Sequence, residues 1–324
     1  MPMTNNKTAF ISGVSGQDGA YLAALLCSKG YKVVGLVRSY MSADLRGLEY
    51  LGVKSKVIVE ECDLLDISQI IKLFFQYMPD EVYNLAAQSS VSLSFRQPIG
   101  TFNFNTLSVY NLLEAIKLVK KEMKFYQASS SEMYGKVARL PITEESVLHP
   151  LSPYAISKAA AHWSCIHYRE SYGIFVCCGI LFNHESYLRN VNFFVKKVIR
   201  DGIKISRGEL DKLCVGNIDI KRDFGFAPSY VEGMYRMMQA DVPTDYILCS
   251  GESIRLRDII EIVFNKLSIP MARYQVTKDL YRPVDIEDIY GDSSRARSEL
   301  GWDYRITPEE LVDLLLTEEL KNWK

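Results

Sequence analysis

Along the first half of the chain, short apolar runs alternate with longer segments in which apolar residues recur every three or four positions. The first pattern marks strands buried on both faces, the second amphipathic helices. KTAFISG, YKVVGLVR, KVIVEECDL, DEVYNLAA, KFYQASS and IFVCCGILFN predict six strands. Between them AYLAALLCSKG predicts a helix closed by Gly30, ISQIIKLFFQYM one stopped by Pro79, and VYNLLEAIKLVKK a third. SPYAISKAAAHWSCIHYRESYG predicts a long helix with Pro153 near its start and Gly173 at its end. Regular strand–helix alternation with apolar strands implies an α/β fold, a doubly wound parallel sheet covered on both faces.

After Asn183 the pattern loosens. FFVKKVIRDG and LRDIIEIVFNKLS predict helices, TKDLYRPVDIEDIYGD an extended chain with a turn, and TPEELVDLLLTEELKNW a last helix with a Thr-Pro-Glu-Glu start. This divides the chain into a sheet domain over 1–182 and a smaller mixed α/β lobe over 183–324, with segments near 218–250 returning to the sheet. No internal repeat or low-complexity linker interrupts it.

Composition narrows the classes. With 48% hydrophobic and 24% charged residues the chain reads as a soluble globular protein, and a net charge of −1 supplies no basic field for nucleic acid. No apolar run has membrane-spanning length, and MPMTNNKTAFISG lacks the apolar middle of a signal peptide, so the expected compartment is the cytoplasm. Seven scattered cysteines without C-x-x-C read as reduced packing residues, and four histidines without ligand spacing support no metal site.

Between the first strand and the first helix lies GVSGQDGAYL, with Gly13, Gly16 and Gly19 in G-x-x-G-x-x-G spacing. Glycines there permit a tight turn and let backbone N–H groups approach a pyrophosphate at the helix N-terminus. Strand before and helix after make this a dinucleotide loop. The second strand ends in Arg38 and Ser39 where an acid would hold the ribose hydroxyls of NAD, so a cation and a hydroxyl favour NADP. Asp63 and Leu64, after the third strand, are candidates for the adenine end.

SPYAISKAA carries Tyr154 and Lys158 four apart, on one helix face. The cation is expected to lower the phenol from its ordinary value of about 10, making it a base for a sugar or alcohol hydroxyl. A strand ending in Ser129, Ser130 and Ser131, followed by Glu132, precedes this pair.

With SGVSGQDGAYLA, VYNLAAQS, FYQASSSEMYG, SPYAISKAAAHW, HYRESYG, GILFNHES, NIDIKRDFG and LYRPVDIEDIYGD, the chain resembles the extended short-chain dehydrogenase/reductases, and within them the GDP-mannose 4,6-dehydratases, over nearly its whole length. The resemblance implies a Rossmann-type NADP domain over 1–182 and a substrate lobe over mainly 183–324. Ser130 stands at the family's Thr, Glu132 at its acid/base, and Tyr154 and Lys158 at its Tyr–Lys pair. Tyr154 would take the C4 hydroxyl proton while hydride is lent to NADP, and Glu132 would remove the C5 proton and assist loss of water from C6. The resemblance further implies cofactor contacts by Gly13 to Asp18 with Gln17 among them, Gly19, Leu85, Ala86, Ala87, Leu181, His184 and Arg189. For the sugar and diphosphate it implies Ser89, Asn183, Lys197, Arg222, Arg282 and Asp285, the last replacing a Glu. It also implies a homodimer or homotetramer.

Two departures stand out. NHESYLRNV has Tyr187 and Asn190 where the family has Pro and Gly, which opens GDP-manno-heptose, or a paralogue stopping at C4 oxidation, as alternatives to GDP-mannose. The paired arginines after the second strand shrink to Arg38 followed by Ser39 and Tyr40. A non-catalytic cofactor-binding regulator is the rival of another class, against which Glu132, Tyr154 and Lys158 all stand.

Overall fold

The computed structural model describes residues 7–323; the part of the signal-peptide reading that falls on residues 1–6 lies outside them. Six strands come first: β1 Thr8–Ser12, β2 Lys32–Val37, β3 Val57–Glu61, β4 Glu81–Asn84, β5 Lys124–Ser130 and β6 Val176–Leu181. Then follow the short β7 Asn183–Glu185, β8 Leu213–Val215, β9 Lys221–Arg222, β10 Phe224–Phe226, β11 Tyr246–Leu248, β12 Ile254–Arg255 and β13 Tyr274–Val276. The helices are α1 Gln17–Ser28, α2 Arg46–Tyr50, α3 Ile67–Tyr77, α4 Val91–Arg96, α5 Pro98–Val119, α6 Pro153–Tyr172, α7 Phe194–Ser206, α8 Ala227–Gln239, α9 Leu256–Lys266, α10 Ser294–Leu300 and α11 Pro308–Lys321.

Seven parallel strands form the main sheet in the order β11-β6-β5-β4-β1-β2-β3. Its seventh strand, β11, comes from late in the chain. Apolar side chains of α1 and α8 cover one face, those of α3, α5 and α6 the other. The strand order reverses at β1, so the loops leaving β1 and β4 diverge and open a crevice at the carboxyl edge. A second core of α7, α9, α11 and β8 builds the smaller lobe. Its last helix opens with a capping box: Thr307 Oγ1 accepts from Glu310 N, and the Glu310 carboxylate accepts from Thr307 N.

Local chemistry sets the helix ends that matter for the site. Ser152 Oγ accepts from Ala155 N at 3.1 Å and Pro153 occupies the first turn of α6, which runs to Gly173 at φ +64°. The helix expected over VYNLLEAIKLVKK starts earlier, at Pro98, and a separate short helix, α4, precedes it.

Beneath the sheet edge, Asp245 receives both guanidinium nitrogens of Arg169, at 2.7 and 2.9 Å, and the backbone N–H of Cys178. His162 and Cys178 lie within 4.8 Å of this carboxylate, which the guanidinium neutralises. The cysteines are all free, but Cys214 is exposed and lines the cleft described below, so the expectation that all seven serve packing fails there. The β8 strand is only three residues long and turns that side chain outward. Truncating one member of a part-buried ion pair leaves its partner under-satisfied, so Arg169→Met should cost about 2 kcal/mol; urea unfolding with a loss under a third of that would contradict the pairing.

Candidate active site

The last residues of β1 and β4 and the middle of β5 are tied together near the carboxyl edge. Ser12 Oγ donates to Asn84 Oδ1 at 2.6 Å, and Asn84 Nδ2 donates to Gln127 Oε1 at 2.8 Å. Ser12 Oγ also accepts from the N–H groups of Leu85 and Ala86. From these strands leave the glycine loop, the 85–90 loop and the serine cluster.

The glycines are sterically required. Gly13 adopts φ +72°, and a Cβ there would lie 2.9 Å from Ala86 N; one on Gly19 would lie 2.3 Å from Gly13 O. The loop therefore presents bare backbone at the start of α1, which suits a pyrophosphate.

A cleft of about 1140 Å³ runs from this loop to the smaller lobe. Its lining includes Asp18, Leu85, Ala87, Ser89, Ser130, Glu132, Tyr154, Lys158, Leu181, Asn183, His184, Arg189, Lys197, Arg282 and Asp285. Residues dispersed over 268 positions of sequence thus meet in one cavity large enough for two ligands. Gly13, Gly16, Gln17, Gly19 and Ala86 are not among its lining; Gly16 is exposed and Gln17 and Gly19 are buried. Arg38, Asp63 and Leu64 do not line it: they lie at the ends of β2 and β3, where Arg38 is exposed, Asp63 Oδ1 accepts from Leu65 N, and Leu64 O accepts from Asn111. Arg222 is buried, spends one guanidinium nitrogen on Lys221 O and Ile286 O, and keeps Nη2 unbonded among the described residues, within electrostatic reach of Glu132 and Arg282.

On one wall, Ser130 Oγ accepts from Glu132 N at 3.3 Å and so starts the tight turn that carries this acid. Beside it, α6 delivers Tyr154 and Lys158. Lys158 Nζ donates to Ala128 O at 2.8 Å, which leaves two of its donors for the cleft. The expected lowering of the Tyr154 pKa by Lys158 is absent. Burial pushes Tyr154 up to about 12, against a lowering Ser130 hydrogen bond and with Glu132 adding to the rise. Lys158 Nζ lies 5.9 Å from the tyrosine ring centroid, and burial brings it down to about 8. At that value Tyr154 is a neutral phenol near pH 7.

The cations are paired internally. Arg282 Nη1 stands 4.0 Å from Glu132 Oε1, Lys197 Nζ 2.7 Å from Asp201, and Arg189 Nε 3.4 Å from buried Glu185, with its guanidinium over the Phe193 ring. His184 departs from a simple ligand role: both ring nitrogens face protein acceptors, Phe182 O at 2.7 Å and Asp18 Oδ2 at 2.8 Å. Asp285 accepts from Asn217 at 3.2 Å.

Tyr187 turns away from the cleft. Its ring lies 4.7 Å from that of Tyr50 and beneath Lys196 Nζ at 4.4 Å, while Asn190 does line the cavity. Of the two departures, only Asn190 can touch a sugar. Sequence reasoning missed Ser186, whose Oγ donates to Gln17 Oε1 at 2.7 Å, and Glu185; their place beside His184 in NHES was the available signal.

Fold and cleft together define a Rossmann-type protein of the short-chain dehydrogenase/reductase class. The family model described as GDP-mannose 4,6 dehydratase matches residues 10–315. GDP-mannose 4,6 dehydratase 1 of Arabidopsis thaliana is 38% identical, covering 97% of this chain and 90% of its own. The Sinorhizobium fredii GDP-mannose 4,6-dehydratase is 36% identical, covering 98% of both. The chain belongs to the GDP-mannose 4,6-dehydratase family. Among solved structures, RMD from Pseudomonas aeruginosa complexed with NADPH superposes with TM-score 0.80 at 26% identity, covering 97% of this chain and 98% of that one. The fold is shared by Streptomyces venezuelae DesIV, a dTDP-glucose 4,6-dehydratase, with TM-score 0.88 at 17% identity and 97% coverage of each chain.

The Lys158 ammonium is disfavoured in the fold relative to the unfolded chain, where it titrates near 10.5. Between about pH 8 and 10.5 the unfolded chain binds more protons, so the burial penalty is full below that window and fades as pH rises through it. Lys158→Met should therefore stabilise the cofactor-free protein by roughly 3 kcal/mol at neutral pH and lose that advantage near pH 10. Urea melts showing a pH-independent gap would contradict the assignment.

Proposed function

We propose that this protein is a GDP-mannose 4,6-dehydratase that converts GDP-mannose to GDP-4-keto-6-deoxymannose with tightly held NADP. The observation that carries the reading is the convergence of Ser130, Glu132, Tyr154 and Lys158 on one cleft beside a glycine loop, in a chain of this family. The bare loop at Gly13 and Gly19 and the two spare donors of Lys158 fit the cofactor. Arg38, exposed at the end of β2, supports the phosphorylated form. We assign 1–182, with the segments near 218–250, to the cofactor domain and the rest mainly to the substrate lobe.

When bound, NADP supplies the reversible two-electron acceptor for C4 and, in its oxidised form, a positive charge. Tyr154 receives the C4 hydroxyl proton, with Ser130 hydrogen-bonded to it. Because burial keeps Tyr154 a phenol, its activation needs positive charge brought alongside. Glu132, on the turn that Ser130 starts, removes the C5 proton once C4 is a ketone and protonates the departing C6 hydroxyl. Arg282, Lys197 and Arg222 suit the substrate's diphosphate as charge-assisted donors.

Glu132→Gln keeps the shape and removes the base. It should still oxidise C4 and then stall, with the near-ultraviolet absorbance of reduced nicotinamide accumulating and turnover down roughly 10²–10⁴. Tyr154→Phe should form no reduced cofactor. Incubation with GDP-mannose and with GDP-manno-heptose, followed by mass spectrometry for loss of one water, tests the substrate; exclusive dehydration of the heptose, or no dehydration of either, would overturn the reading.

The protein acts as a homo-oligomer, a dimer or tetramer, in the cytoplasm. Helices α5 and α6 expose Ile99, Phe102, Leu107, Tyr110, Ile156 and Trp163, an apolar face that a second copy would cover. Free cysteines suit a reducing compartment, and among the described residues no helix is long and apolar enough to cross a membrane. Phe102→Glu with Trp163→Glu should yield monomers in sedimentation equilibrium; an unchanged mass would remove this face from the interface.

A further inference from the structure

A carboxylate in a phosphate loop is an electrostatic anomaly. Asp18 lies in the first turn of α1 and lines the cleft where the glycine loop offers its N–H groups. An unscreened anion there would repel a pyrophosphate that the helix end attracts. Both oxygens of Asp18 are engaged by the protein: Oδ1 accepts from Gln17 Nε2 at 3.0 Å, and Oδ2 faces His184 Nε2 at 2.8 Å.

The protonation of His184 follows from its partners. Phe182 O, 2.7 Å from Nδ1, can only accept, so Nδ1 carries a proton. Asp18 Oδ2 is an acceptor when ionised, so Nε2 carries the other. With Asp18 ionised the ring is therefore an imidazolium, and it stacks on Tyr230 at 4.6 Å. Burial works against charge on both groups, yet their mutual attraction prevails: Asp18 is held below its ordinary value and His184 above its own. The second cation in reach of Asp18, Arg189, is offset by Glu185 at 3.4 Å.

We propose that His184 is the counter-ion that cancels Asp18, and that it holds the cofactor's diphosphate indirectly, as a positioning residue, without touching it. The counter-ion comes from β7, 166 positions along the chain from the residue it neutralises and in direct contact with it. Gln17 adds two hydrogen bonds between the same two elements, donating to His184 O at 3.1 Å and accepting from Ser186 Oγ at 2.7 Å. Cofactor affinity is therefore coupled to the strand that begins the smaller lobe. The inference rests on the dinucleotide reading above.

The test is a double-mutant cycle on NADPH affinity, read by fluorescence titration of cofactor-stripped protein, with thermal melts to establish folding. His184→Gln leaves Asp18 unpaired and should weaken binding roughly tenfold or more, the loss growing at low salt. Asp18→Asn alone should bind as well as wild type or better, and the Asp18→Asn/His184→Gln double variant should regain most of the affinity that His184→Gln loses. A double variant as weak as His184→Gln would mean that His184 contacts the cofactor itself and would overturn the proposal, as would unchanged affinity in His184→Gln or weakened affinity in Asp18→Asn. If His184→Gln does not fold, Asp18→Asn decides. Wild-type protein that binds no nicotinamide dinucleotide overturns the functional reading itself; wild-type binding without rescue overturns only the counter-ion.

Discussion

The buried ladder from Ser12 through Asn84 to Gln127 sets the relative height of β1, β4 and β5, and the cleft hangs from those three strands. A slip of one residue in any of these strands would turn every side chain to the opposite face and leave a hydroxyl or amide unpaired in the interior. Such a group costs about 1–3 kcal/mol, comparable with a large share of a domain's net stability. With register held, the glycine loop, the 85–90 loop and the Ser129–Glu132 turn leave the sheet side by side. The reversal of strand order at β1 then spreads the first two apart and makes room for a ligand.

The cleft so formed is rich in charge yet has few unpaired charges. Arg282 faces Glu132, Lys197 faces Asp201, Arg189 faces Glu185, and His184 faces Asp18. An anionic ligand entering such a cavity exchanges partners with these pairs more than it fills empty donor sites. The net gain is smaller than a count of cations suggests, because each pair must be opened or reoriented. The exchange also has a chemical consequence at Glu132. Its carboxylate shares space with a cation in the ligand-free protein, and an anion that draws Arg282 towards itself leaves the acid free to accept a proton.

Much of this was legible in the residues. The strands of the sheet's first six positions in sequence were visible because β-branched and aromatic runs there have no helical period, and the helices between them ended at Gly30, Pro79 and Gly173 for reasons local to the chain. The first turns of α5 were not visible, because FNFNTLS mixes asparagine and threonine into positions that the fold buries: Thr101, Asn105 and Thr106 are all inside. Asn105 is accommodated by hydrogen bonds to Gln88 O and Ser157 Oγ, which no local pattern announces. Helix α8 also escaped the reading, since a Pro at its start and tyrosines and methionines within it blur the stripe. At the site, the residues that meet were identifiable and their pairings were not. Tyr187 sits one residue after the buried Ser186 but faces Tyr50, and Cys214 sits on a strand but faces the cleft. Side-chain direction depends on partners distant in sequence.

The Tyr–Lys pair shows the same limit in electrostatic form. Spacing alone places an ammonium one helical turn from a phenol and suggests a phenolate. In the folded chain the ammonium is drawn to Ala128 O, and both groups are buried deeply enough that desolvation dominates each of them. Burial favours the neutral form of acid and base alike, so the Tyr154 phenol lies near 12 and Lys158 near 8. Tyr154 is not poised to accept a proton at neutral pH until the local charge changes, whereas Lys158 remains mostly an ammonium. Added positive charge stabilises phenolate, and added phosphate stabilises ammonium, so one ligand carrying both would shift the two residues in the directions that catalysis requires. Basicity at Tyr154 is then a property of the assembled site and not of the helix that carries it.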